Sequence, residues 1–215
     1  MFYIEIFVLT MNLNTPYYYN PNMHSLGNIG FGGMLHANLA YTSTKIIDNI
    51  RYNGRNIRKE IYQPYLDNNK NILDMCCGVG LSTPPGQIGI DTSQEMINVA
   101  KKNAKIANKE TEFYFGNVEK FRPSKKIDIV TCMFAFHEMP NYAHIKIIQN
   151  ALLIAKEEFV IVDIAPNYKN KNPPNIMLKG EPYLINYLNT IGDILYDFEE
   201  TIYIPNHVHI WKYKK

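Results

Sequence analysis

Two short apolar stretches, Ile72-Leu-Asp74-Met75 and Ile88-Gly-Ile-Asp91, each carry a carboxylate at or near their end. Asp74 opens the spacing Asp-x-Cys-x-Gly-x-Gly through Cys76, Gly78 and Gly80. Glycines let the backbone turn tightly and approach a ligand closely. A carboxylate at the end of a second strand can accept from both hydroxyls of a ribose. A glycine turn alone also ends many ordinary strands. Two acid-tipped strands around one such turn point instead to a nucleoside site. A second group of reactive side chains lies in Phe134-Ala-Phe-His-Glu-Met-Pro140. There His137 and Glu138 suit a general base or a substrate anchor, while His137 equally suits a structural hydrogen bond near a helix start. A further strand-like run, Phe159-Val-Ile-Val-Asp163, also ends in an acid. His207 and His209 share a strand face, but no third ligand stands at metal spacing, so no metal site is expected.

From about residue 70 onward the chain resembles the class I S-adenosylmethionine-dependent methyltransferases. The stretch from Asp74 to Gly80 is similar to their first motif, Asp/Glu-x-Gly-x-Gly-x-Gly, and Asp91 to their ribose-binding acid. The resemblance implies S-adenosylmethionine as cofactor. It implies a Rossmann-like α/β three-layer sandwich with a mostly parallel seven-stranded sheet, an antiparallel C-terminal strand and an N-terminal helical cap. It places Asp74, Cys76, Gly78, Gly80, Asp91, Thr92, Met96, Asn117, Val118 and Phe134 at the cofactor, with Asn117 accepting from the adenine amino group and Val118 packing on the base. It puts His137 and Glu138 between cofactor and acceptor. Two departures stand out. Cys76 replaces the first glycine, and only the stretch Leu81-Ser-Thr-Pro-Pro-Gly86 separates the turn from the second strand. Parallel strands usually need a crossover of about a dozen residues, so a loop or single turn is expected there in place of the family's first helix.

These residues need a scaffold. Residues 34–52 read as a helix with Leu35, Leu39, Ile46, Ile47 and Ile50 inward, and residues 56–65 as a second helix. Before them stand an irregular arm with Tyr17, Tyr18 and Tyr19 and a turn cluster at Gly27, Gly30, Gly32 and Gly33. Strands are expected at 71–75, 87–91, 111–115, 126–134 and 159–163. Helices are expected at 93–108, opened by a Thr92-x-x-Glu95 capping box, at 141–156 and at 182–197. Residues 167–180 read as a loop. It includes Asn172-Pro-Pro-Asn175, which resembles the motif of amide and adenine-N6 methyltransferases but follows the fifth strand and lacks the aromatic, so it is taken as coincidence. Strands at 199–205 and 207–213 close the chain, with Val208 and Ile210 alternating with His209 and Trp211 so that one face is buried.

The 215 residues, 46% apolar and 20% charged, suit one ordinary core plus a cap. The division is an arm and cap at residues 1–69 and a cofactor-binding domain at 70–215. A net charge of +2 gives no electrostatic case for nucleic acid. Three cysteines without a disulfide framework suit a reduced, cytoplasmic setting. The apolar run at residues 2–9 is too short to span a bilayer and lacks a cleavage site; Met11 is a possible alternative start. A nicotinamide enzyme is disfavoured because Gly-x-Gly-x-x-Gly is missing. The expected function is methyl transfer to a small molecule. The rivals are a protein- or RNA-directed methyltransferase, for which the C-terminal lysines are thin support, and a non-catalytic scaffold. The oligomeric state is not encoded in any feature of the sequence.

Overall fold

The computed structural model describes residues 16–168 and 175–215. The apolar run at 2–9, Met11 and residues 172–174 of the Pro-Pro segment lie outside them. Elements follow in the order α1 (Gly30–Tyr52), α2 (Ile57–Asp67), β1 (Ile72–Met75), β2 (Ile88–Asp91), α3 (Gln94–Ile106), β3 (Glu112–Phe115), β4 (Ile127–Met133), α4 (Asn141–Ile154), β5 (Ala155–Ile164), α5 (Asn175–Gly180), α6 (Leu184–Ile194), β6 (Glu199–Ile204) and β7 (Val208–Lys214). Short 3-10 turns at Tyr17–Tyr19 and Met23–Ser25 precede α1, and another at Phe136–Glu138 follows β4.

The strands form one seven-stranded sheet in the order β3-β2-β1-β4-β5-β7-β6. Neighbours from β3 to β5 are parallel, and β7 runs antiparallel to both β5 and β6. This is the Rossmann-like sheet with one reversed strand that the sequence implied. Alternate residues along each strand serve opposite faces. Leu73, Met75, Val130, Cys132, Phe159 and Ile161 meet α4 and α6 on one face. Ile72, Ile129, Val160 and Val162 meet α2 on the other. Ser93 caps α3, its hydroxyl accepting from Met96 N at 3.2 Å, one residue after the expected Thr92. Val208, His209, Ile210 and Trp211 are all buried, correcting the one-face expectation: β7 lies inside the sheet, and β6 forms the edge.

The connection from β1 to β2 holds no helix, as the two prolines suggested. The loop expected over 167–180 contains the short helix α5. The larger correction concerns α1. Leu35, Leu39, Ile46, Ile47 and Ile50 are exposed, not inward. The buried residues of the helix are instead Gly33 and Ala37 near its start, Ala37 against Val79 and Met96, and Tyr52 at its end, clustered with Ile57, Ile61 and Val208. Small side chains let the helix axis approach the glycine turn closely. Polar ties fix its start, where Gly30 N donates to Glu95 Oε1 at 2.6 Å and Ser93 Oγ donates to Asn28 O at 2.6 Å. The N-terminal cap is thereby fastened to the start of α3, beside Asp91. No helix among the described residues is long and apolar enough to cross a membrane.

Candidate active site

The carboxyl ends of β1, β2 and β4 open into one cavity of about 540 Å³, and Cys76, Gly78, Asp91, Met96, Phe134, His137 and Glu138 all line it. Such crevices beyond parallel strand ends are the usual ligand sites of open α/β sheets. Asp91 anchors the β2 side. Its Oδ2 accepts from Gly78 N at 2.8 Å and its Oδ1 from Ser93 N at 2.9 Å. Each carboxylate oxygen can accept more than one hydrogen bond, so both retain capacity for two ribose hydroxyls. This spare capacity, with the glycine backbone beside it, fits a nucleoside cofactor. Burial pushes the Asp91 carboxyl up to about 6, against the lowering effect of the Ser93 and Gly78 amides. Below that pH the group takes a proton and loses part of its acceptor capacity. Cofactor affinity is expected to fall about tenfold between pH 7.5 and pH 5. Calorimetry across that range checks it; an affinity flat with pH would contradict the role of Asp91.

The two glycines of the turn do different work. Gly78 has φ +51°, and a Cβ built there meets nothing within 4 Å. Its bare face is open to a ligand. Gly80 has φ +81°, and a Cβ there would lie 2.8 Å from Phe113 Cζ and 3.2 Å from Ala100 Cβ. Gly80 therefore serves close packing between the turn, β3 and α3. Cys76 adopts φ 56°, so the turn holds a side chain in the left-handed region that the family gives to glycine. Phe134, at the end of β4, has φ 58°, with its ring 4.5 Å from the Arg58 guanidinium carbon. Non-glycine residues held there cost about 1–2 kcal/mol each and cluster at functional sites.

Asp74, Gly80, Thr92, Asn117 and Val118, also expected at the cofactor, do not line this cavity. Asp74 is fully buried, and Ser82 Oγ, Thr83 Oγ1 and Thr131 Oγ1 donate to it at 2.8, 2.7 and 3.1 Å. Its pairing across the sheet with Thr131 brings the third hydroxyl to it. Burial raises its carboxyl to about 6 despite these bonds. Asp74 thus pins the helix-free crossover to the end of β1. Asn117 Oδ1 accepts from Glu119 N at 2.7 Å and closes its own turn. Val118 is core, and the Thr92 amide supports Asp91.

The β4 end gathers side chains from four distant segments. His137 Nδ1 lies 2.6 Å from Asp163 Oδ1, and Asp163 Oδ2 accepts from the Phe136 and His137 amides at 2.7 and 3.2 Å. The fifth strand's terminal acid therefore fixes the imidazole and leaves Nε2 toward Glu138, whose Oε1 is 3.8 Å away. Burial disfavours charge on His137, but Asp163 outweighs it and, with Glu181 and Glu138, holds the ring up at about 9. Burial likewise works against charge on Glu138, yet His24 and His137 hold its carboxyl down at about 2. The pair suits anchoring better than proton abstraction at neutral pH. His24 lies 2.9 Å from Glu138 through Nε2 and 2.9 Å from Glu181 through Nδ1. His36 packs beside it with its ring tilted by 50°, ring centroids 4.3 Å apart. His24 and Glu181 were not singled out from the sequence, because no local spacing links residues 24, 138 and 181. Asp163 carried a signal, an acid at a strand end, that had no assigned role.

The family model described as a methyltransferase domain matches residues 72–158. No curated protein matches the sequence. Among solved structures, magnesium protoporphyrin IX methyltransferase from Synechocystis PCC 6803, with S-adenosylhomocysteine bound, is 17% identical and superposes with a TM-score of 0.55 over 74% of this chain and 81% of its own. A SAM-dependent methyltransferase from Aquifex aeolicus is 20% identical, with a TM-score of 0.52 over 71% of this chain and 88% of its own. Another, from Clostridium acetobutylicum ATCC 824, is 18% identical with a TM-score of 0.49, covering 60% of this chain and 59% of its own. The first two likenesses concern the fold alone. Residues 72–158 match a methyltransferase domain, and the chain has the fold of these solved S-adenosylmethionine-dependent methyltransferases.

Proposed function

We propose that this chain is an S-adenosylmethionine-dependent methyltransferase acting on a small molecule, that residues 70–215 hold the cofactor, and that the segment before them covers the acceptor. One observation carries the reading. His24, from the N-terminal segment, reaches across the β4 end to two carboxylates at 2.9 Å each, so that segment covers part of the acceptor end. A partly covered site suits a small acceptor better than a protein or RNA surface. When bound, S-adenosylmethionine supplies a methyl group on a sulfonium that is already an excellent leaving group. The chain's own contribution is then chiefly positioning. Asp91 and the Gly78 backbone grip the ribose end, Met96 and Phe134 wall the cavity between, and His137 presents Nε2 to the acceptor. Three free cysteines, at positions 76, 77 and 132, support a reducing compartment such as the cytoplasm.

The test is incubation with methyl-labelled cofactor and an extract divided into small molecules, RNA and protein. Label in the small-molecule pool is expected; label confined to RNA or protein would overturn the reading. His137→Ala should lower turnover about 10²-fold, the scale of a lost positioning group, with cofactor affinity unchanged. Full turnover in that variant would end the anchoring role.

A further inference from the structure

We propose that His24, Glu138 and Glu181 bind one first-row divalent cation at the acceptor end of the cavity. Each offers a ligand atom, and the three atoms lie within 4.8 Å of one another. His24 Nε2 and Glu138 Oε1 are 2.9 Å apart, a separation that two adjacent ligands of one such ion can adopt. Glu181 supplies the second, independent observation. It is only 8% exposed, it lines the cavity, and its Oε2 has no hydrogen-bond partner. A buried carboxylate oxygen left alone is costly unless a donor or a cation meets it.

The donor set decides the class of ion. One imidazole nitrogen with two carboxylate oxygens suits Zn²⁺, Mn²⁺ or Fe²⁺. Calcium would call for six to eight oxygens, and magnesium binds mainly through water and carboxylates. Three protein ligands also leave a position open, as in catalytic rather than structural sites. His24 now bridges both carboxylates through its two ring nitrogens. Ligation replaces the proton on one nitrogen by the ion, both carboxylates turn onto the ion, and the other ring nitrogen is released from its carboxylate. The neighbouring His137 is fixed through Nδ1 by Asp163 and borders the site through Nε2. A cation here would meet an acceptor oxygen or nitrogen at its open position. That placement rests on the small-acceptor reading above, whereas occupancy of the site does not.

Calorimetric titration of chelator-treated full-length protein with MnCl₂, and separately with ZnCl₂, tests the site. One equivalent is expected to bind the parent protein, at least about tenfold more weakly in Glu181→Gln and in His24→Ala, and unchanged in His209→Ala, with circular dichroism confirming that each variant is folded. No binding to the parent protein would overturn the proposal, leaving a protonated His24 as the sole bridge between the carboxylates. Equal affinity in parent, Glu181→Gln and His24→Ala would also overturn it, because the ion would then sit elsewhere. Binding that follows these variants, without label transfer to any small molecule, would keep the cation site and sink the acceptor reading.

Discussion

Replacing Asp91 by alanine is expected to weaken S-adenosylmethionine binding about 10²-fold. Two hydrogen bonds from ribose hydroxyls to a charged carboxylate are worth about 1.5 kcal/mol each at the lower end of their range, or about 3 kcal/mol together. The variant also strips Gly78 N of the acceptor that fixes the turn at 2.8 Å. Asp91→Asn keeps the shape and one acceptor oxygen, so its loss should be smaller. Calorimetry on the three proteins at pH 7.5 separates these effects. An Asp91→Ala affinity within threefold of the parent would remove the ribose assignment.

Gly80→Ala is expected to destabilise the fold by about 2–5 kcal/mol. About 1–2 kcal/mol comes from an L side chain in the left-handed region, and about 1–3 from overpacking. The new methyl has little room, since Phe113 Cζ would be 2.8 Å away and both Phe113 and Ala100 are buried. Gly78→Ala makes the contrast. Its methyl meets no atom within 4 Å, so the fold bears mainly the backbone term while the cofactor meets the methyl. Urea denaturation should therefore move strongly for Gly80→Ala and weakly for Gly78→Ala, with the order reversed for cofactor affinity. Equal denaturation midpoints for Gly80→Ala and the parent would contradict the packing role.

The contrast between the two glycines shows where sequence reading reached its limit. Spacing identified the turn, the acid at Asp91 and the absence of a first helix, because apolar runs, prolines and glycines act locally. It did not separate Gly78 from Gly80, since what differs is the distant Phe113 ring. Asp74 stood out by position, but the hydroxyls that donate to it, from Ser82, Thr83 and Thr131, one of them on another strand, could not be read from spacing. Asn117 stood out as an acceptor for adenine, and its oxygen also holds the next turn. On α1 the large aliphatic residues suggested a buried face, whereas Gly33, Ala37 and Tyr52 are the buried positions. The acceptor end was least visible in the sequence. His137 and Glu138 stood out as a pair, but Asp163, His24 and Glu181 join them only through the sheet topology and the folded-over N-terminal segment.

The most direct measurement is a crystal structure with S-adenosylhomocysteine bound. The account predicts both ribose hydroxyls within hydrogen-bond reach of the Asp91 carboxylate, the ribose against Gly78, and the sulfur end directed toward Phe134 and His137. A ligand lodged elsewhere, or a ribose that makes no contact with Asp91, would contradict it.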